Sequence, residues 1–348
     1  MKGFVLSVII ASILLSLIAL PGLAQGVQSV ELHGYMQNRF YANPDSTARF
    51  VTERVSLSAV SQLGTDGTAY VELYFPTTYV ESAYVDLPLF SGRIRFGKGR
   101  QLNFGMTPSY PNRKLATYGI VSETFTSERI TGAQYDYKAG AFDFGLSVYT
   151  DQLLGATNTG TFISNISTTN YLPHFADKDS SAGNAGDMAV SSRMGLKMGS
   201  LTAHISGATG KLSQENLNTL NAPGPTAILL TSTDHNKYGV DAVYNAGPFI
   251  AQGELYQGNF SSFKITGYSL LVGYQPKNAR RAYVRYEALN YNQPQTANQL
   301  TWEPQQLTFG VIQPIRKGVW AEFQYVKNTE TGGDVDNDQL FVEVFTGF

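Results

Sequence analysis

The 348-residue chain contains no cysteine. That excludes disulfides, thiolate metal sites, a cysteine nucleophile and a lipid-modified N-terminal cysteine. Charge is also scarce: Asp, Glu, Lys and Arg make up 15% of the residues, against about one in four in soluble domains. The 25 basic and 27 acidic residues nearly cancel, leaving −2. Such a balance carries no footprint of a nucleic-acid binder, so no nucleic acid is expected as a partner. Histidine occurs four times, at His33, His174, His204 and His235. No H-x-x-x-H or H-E-x-x-H spacing joins them, and no metal site is nominated. There is no G-x-S-x-G, so no serine-hydrolase elbow is expected. No cofactor is called for, and the chain reads as a non-enzyme. Beyond residue 24 no apolar run approaches the length needed for a spanning helix.

What is abundant is glycine, 34 residues, with 21 tyrosines and 20 phenylalanines. The start reads as an address. Met1-Lys2 is positive, Phe4 to Leu20 is apolar apart from three serines, and Pro21-Gly22-Leu23-Ala24 supplies a break and small residues. Residues 1–24 therefore read as a secretory signal peptide, with 25–348 as the mature part.

The remainder beats in twos. Ala69, Val71, Leu73 and Phe75 alternate with Tyr70, Glu72 and Tyr74. Tyr238, Val240, Ala242 and Tyr244 alternate with Lys237, Gly239 and Asp241. Leu340, Val342, Val344, Thr346 and Phe348 share one face, with Gln339 and Glu343 on the other. Successive side chains of a strand point to opposite faces, so each segment has an apolar and a polar side. Sixteen such segments are predicted: 30–41, 49–63, 67–75, 80–88, 92–102, 129–138, 142–151, 189–198, 201–212, 236–245, 248–260, 265–276, 282–291, 305–315, 319–327 and 338–348. Most have the length of a tilted strand crossing a bilayer. Short connections alternate with long ones, the asymmetry of an outer-membrane barrel, and aromatics bracket the short turns, as Tyr137 with Phe142 and Tyr244 with Phe249. In lipid an unpaired backbone group costs several kcal/mol, so the sheet must close. The expectation is an all-β, sixteen-stranded antiparallel transmembrane β-barrel in a Gram-negative outer membrane. A barrel of that size encloses water.

The faces turned from the lipid carry Arg39, Arg54, Arg193 and Arg285 with Glu287, Glu322 and Glu343. Both signs are present, as in a wet lumen whose charges pair with one another. One stretch is unbalanced. Between Ser91 and Ser122 there is no acid, but there are Arg93, Arg95, Lys98, Arg100, Arg113 and Lys114. It spans the fifth strand and the start of the third long loop, 103–128. Positive rings select anions, and a narrow throat with low-dielectric walls focuses their field. Parity sends Arg93 and Arg95 to the lumen. Strict alternation sends Lys98 and Arg100 outward, either re-aimed by a bulge at Gly97 and Gly99 or left at the rim to meet lipopolysaccharide phosphates.

Ala83-Tyr84-Val85-Asp86, Gly92-Arg93-Ile94-Arg95-Phe96-Gly97-Lys98 and Phe104-Gly105-Met106 resemble the phosphate-selective porin (O and P) superfamily and its dicarboxylate-porin relatives. The resemblance implies a homotrimer, passive uptake, basic constriction residues and an inward-folded third long loop. It places Arg93 and Arg95 among the pore-lining groups. The functional expectation is a water-filled channel for small hydrophilic solutes, anions such as phosphate or small carboxylates. The other class is a structural or adhesive barrel whose loops 152–188 and 213–235 bind a partner.

Overall fold

The computed structural model describes residues 29–43, 46–75, 79–99, 103–106, 118–126, 129–151, 153–158, 173–178, 187–221, 230–276, 280–294, 301–332 and 337–348. Residues 1–24, with the expected leader, lie outside them, as do Arg100, Arg113 and Lys114.

Strands run Val30–Asn43 (β1), Ser46–Leu63 (β2), Gly67–Tyr74 (β3), Tyr79–Leu89 (β4) and Gly92–Gly99 (β5), followed by helix Ile120–Phe125 (α1). Then come Ile130–Ala139 (β6), Phe142–Thr150 (β7), Leu153–Asn158 (β8), Pro173–Lys178 (β9), Met188–Met198 (β10), Leu201–Lys211 (β11) and helix Gln214–Leu220 (α2). The chain continues through Asp234–Ala246 (β12), Phe249–Phe260 (β13), Phe263–Tyr274 (β14), Arg281–Tyr291 (β15), Gln305–Arg316 (β16), Val319–Thr329 (β17) and Gln339–Gly347 (β18). All except β8 and β9 form one closed barrel of sixteen strands, each hydrogen-bonded to its sequence neighbour in the wall. The ladders are antiparallel throughout, and β1 pairs with β18 to close the ring. Phe348 completes the seam: the Gly34 N–H donates to its carbonyl at 2.8 Å, and its own N–H donates to Gly34 at 2.9 Å. No wall strand is left with an open edge to desolvate in lipid.

Five of the short turns are tight because glycine stands where the turn needs a left-handed backbone. Gly64, Gly140, Gly199, Gly247 and Gly318 have φ between 57° and 76°. At 90–91 the position falls to Phe90, φ 52°, whose ring is exposed. The outer face is apolar and open: Val240, Leu255, Leu270, Val272, Val284 and Phe309 are each 42–55% exposed. Near the short turns aromatics dominate that face, with Phe142, Tyr244, Phe249 and Tyr274 exposed. Phe249 meets Tyr274 edge-on at 5.1 Å. A band of exposed aliphatics with an aromatic rim is a lipid-facing surface.

Three features depart from the sequence expectation. The loop expected over 152–188 carries the hairpin of β8 and β9, paired from Leu153 with Lys178 to Asn158 with Pro173. Helices α1 and α2 occupy stretches read as loop. These pieces fold because the barrel supplies the partner their sequences lack. Phe104, Ile120, Val121 and Phe125, with Leu154, Phe175 and Leu217, meet Tyr256, Phe260, Phe263, Ile265, Leu289 and Tyr291 of the wall in one buried apolar cluster. Burial of each large side chain contributes about 1.5–3 kcal/mol. The inner face is thus not uniformly wet, and over β13 to β15 it holds a dry core.

Candidate channel lining

The ends of the third long loop lie inside the barrel. The Asn103 N–H donates to Ser147 Oγ of β7 at 3.3 Å and the Gly105 N–H to Ser206 Oγ of β11 at 3.1 Å. The Met106 N–H donates to the Tyr256 hydroxyl of β13 at 2.9 Å. On the return, the Tyr118 carbonyl accepts from Arg285 of β15 at 3.2 Å, and the Val121 N–H donates to Glu287 at 3.4 Å. The Phe125 carbonyl accepts from Lys237 Nζ of β12 at 3.0 Å. The partners all sit on inner faces, so both described ends of the loop, 103–106 and 118–126, are held against the inside of the wall. Gly105 and Gly119 allow this approach: a Cβ on Gly105 would lie 2.7 Å from the Tyr256 hydroxyl, and one on Gly119 would lie 1.8 Å from a Glu287 oxygen. Both have positive φ, 62° and 90°. Gly267 likewise clears space for the Phe125 ring.

Arg39, Arg54, Arg93, Arg95, Arg193 and Arg285 reach the inner face, where each is held by a carboxylate on the same or a nearby strand. Arg39 meets Glu343 with Nε at 3.1 Å and Nη2 at 2.7 Å, and Gln37 adds a hydrogen bond to the same carboxylate at 2.8 Å. Arg93 and Arg95 share Asp86, Arg95 at 2.8 Å. The Arg95 guanidinium also lies 4.2 Å from the Tyr84 ring centre, and Arg93 donates to the Asp66 carbonyl at 3.0 Å. Arg193 pairs with Asp241 at 2.7 Å, and His204 Nδ1 lies 2.9 Å from the same oxygen. Arg285 and Glu287 pair at 2.7 Å beneath the loop. Glu322 accepts from the Tyr283 hydroxyl at 2.6 Å. Arg54 pairs with Glu81.

Glu81 was not among the residues expected inside. It is fully buried and holds both Arg54 and Arg129, while Arg129 Nε also donates to Ser82 at 3.2 Å. Strict alternation hides it because the β3–β4 ladder slips between Glu72 and Leu73, making Glu81 the extra residue. Glu53 is the extra residue at the slip between Gln37 and Asn38, and it reaches Arg39 at 3.6 Å. The sequence carries a signal for both: Glu53-Arg54 and Glu81-Ser82 are consecutive polar residues in otherwise alternating strands, the mark of a bulge. Of the two alternatives for Lys98, the bulge at Gly97 to Gly99 is absent, since neither ladder of β5 slips there. Gly97 takes φ 124° without shifting the register. Lys98 therefore falls on the face opposite Arg93 and Arg95, with its ammonium 5.8 Å from the Tyr79 ring centre.

Comparison with known proteins places this geometry. No family model and no curated protein matches the chain. Solved structures do. OmpF of Salmonella typhi in complex with daunomycin is similar over 92% of this chain and 97% of its own, with 13% identity and a TM-score of 0.65. OmpT of Vibrio cholerae in its trimer form gives 92% and 99%, 13% identity and 0.60. The anion-selective porin from Comamonas acidovorans gives 92% and 99%, 16% identity and 0.57. The chain has the porin fold. At these identities the likeness is one of architecture. A closed sixteen-strand wall with this exterior is a multi-pass β-barrel of a Gram-negative outer membrane.

Proposed function

We propose that the barrel, exported by a leader at 1–24, is a porin that passes small hydrophilic solutes by diffusion across the outer membrane, with no catalysis. The observation that carries this reading is a closed sixteen-strand wall whose third long loop turns both described ends inward, onto Ser147, Ser206, Tyr256, Arg285 and Glu287. A loop whose ends are held inside the barrel narrows the channel.

Anions such as phosphate or small carboxylates are the proposed cargo. The motif likeness of residues 83–106 to phosphate-selective porins supports this. So does unequal exposure: the Arg93 side chain is 45% exposed and its partner Asp86 only 11%, so the cation faces solvent. Arg95 stands behind it, and Arg113 and Lys114 on the loop form a second layer. Lys98 and Arg100 are assigned to the rim, facing lipopolysaccharide phosphates. Three such barrels assemble as a homotrimer.

The reversal potential across a bilayer in a tenfold salt gradient tests the sign. The wild type is expected to favour anions, and Arg93→Ala/Arg95→Ala to move the potential toward zero or past it. A cation-preferring wild type, or an unchanged double variant, contradicts the assignment. A second reading, a structural or adhesive barrel displaying loops 152–188 and 213–235, draws on the apolar cluster that seats the hairpin and both helices on the inner wall. Such a barrel conducts no current.

A further inference from the structure

At the short-turn end of the lumen the wall opens into a cavity of about 380 Å³ whose charged lining is of both signs. The lining includes Arg93 from β5, Asn103 from the inward loop, Asp136 and Lys138 from β6, Asp143 from β7 and Arg193 from β10. Its shape comes from two glycines. Gly145 stands in register between Asp136 and Arg193, and Gly195 between Asp143 and His204. Strands are about 5 Å apart, so the backbones carrying Asp136 and Arg193 stand about 10 Å apart with no wall side chain between them. A Cβ on Gly145 would meet the Asn103 carboxamide at 2.3 Å, and one on Gly195 would meet Asp143 at 2.5 Å. The missing side chains leave room for the loop's amide above and for an aspartate below.

Arg93, Asp136 and Arg193 fall in one register row, with Asp136 and Gly145 between the two guanidiniums, and Asp143 stands diagonally across from Arg193 on the neighbouring strand. Arg193 and Arg93 are tied to Asp241 and Asp86, yet keep 24% and 45% of their side chains exposed. Asp143 is 34% exposed, with His204 Nε2 3.5 Å away. A simple anion entering here meets Asp136 and Asp143. A simple cation meets two guanidiniums and Lys138. A solute carrying both charges a few ångströms apart satisfies Arg193 and Asp143 together.

We propose that this cavity is a recognition subsite for small amino carboxylates, with the carboxylate toward Arg193 and the ammonium on Asp143. The proposal rests on the porin reading and sharpens its cargo from carboxylates to zwitterions. Entry is passive, and the subsite raises occupancy at the mouth of the throat.

Proteoliposome swelling tests it, with serine as zwitterion, lactate as anion and erythritol as neutral solute of similar size. In the wild type serine is expected to enter about threefold faster than erythritol, as two partly exposed ion pairs permit. In Asp143→Asn the serine advantage falls toward one while lactate entry rises. A structural defect would move both in the same direction. Asp143→Glu restores the serine advantage. A wild-type serine-to-erythritol ratio of one or less overturns the subsite, as does a ratio unchanged in Asp143→Asn. No swelling with erythritol overturns the porin reading and takes the subsite with it.

Discussion

At the scale of single residues, the interior is held by ion pairs whose removal leaves a buried charge. Glu81 is the sharpest case, because one fully buried carboxylate answers both Arg54 and Arg129, whose side chains are 15% and 5% exposed. In Glu81→Ala both guanidiniums lose that partner where little water reaches them. Breaking a buried pair from one side costs about 3–5 kcal/mol. Denaturant unfolding in detergent micelles should show a loss of that order for Glu81→Ala. Glu31→Ala is the control, since Glu31 is exposed and its ion-pair partner among the described residues is His33 at 3.4 Å; its change should stay within about 0.5 kcal/mol. Equal, small effects would mean that the interior pairs are solvated and interchangeable.

At the scale of elements, the inward loop is pinned by its backbone donors and acceptors, several of them meeting charged side chains of the wall, and by glycines that let it approach. Gly119 precedes α1 at φ 90°, and the Glu287 carboxylate fills the place of its absent side chain. Gly119→Ala therefore lifts the helix from β15. The expected outcome is a larger single-channel conductance at unchanged folding yield, and a conductance equal to wild type would show that the loop does not set the narrowest section.

The same elements show how far the sequence could be read. The sixteen wall strands were legible because lipid outside and polar contacts inside impose a period of two on every strand. The register slips were not, since one extra residue at Glu53 or Glu81 inverts parity without altering composition. Helix α1 was hidden for another reason. Its six residues include Val121 and Thr124, which favour strands, and it gains stability from burial of Ile120, Val121 and Phe125 against the wall. Hairpin β8–β9 likewise depends on tertiary contact, Phe175 stacking near Phe263 and Tyr291 at 5.4 and 6.0 Å. For the candidate site, Arg93 and Arg95 could be placed on the lumen by parity. That both lean on Asp86, and that Glu81 collects two arginines, follows from cross-strand register, which periodicity alone does not supply.

At the scale of the whole molecule, the claim is that a barrel apolar outside and closed by the β1–β18 seam keeps a water path beside a loop folded into it. The apolar cluster is densest over β13 to β15 and reaches Ile130, Tyr149, Ala189 and Ala208 of β6, β7, β10 and β11, while ion pairs line β1, β2, β4, β5 and β18 and border the remaining space. Water should fill that space, and ions should cross it. The decisive measurement is the current through single molecules of the purified protein in a planar lipid bilayer in molar potassium chloride. The account predicts discrete, uniform, ohmic steps on insertion. A protein that inserts yet leaves the bilayer at its bare conductance would contradict it.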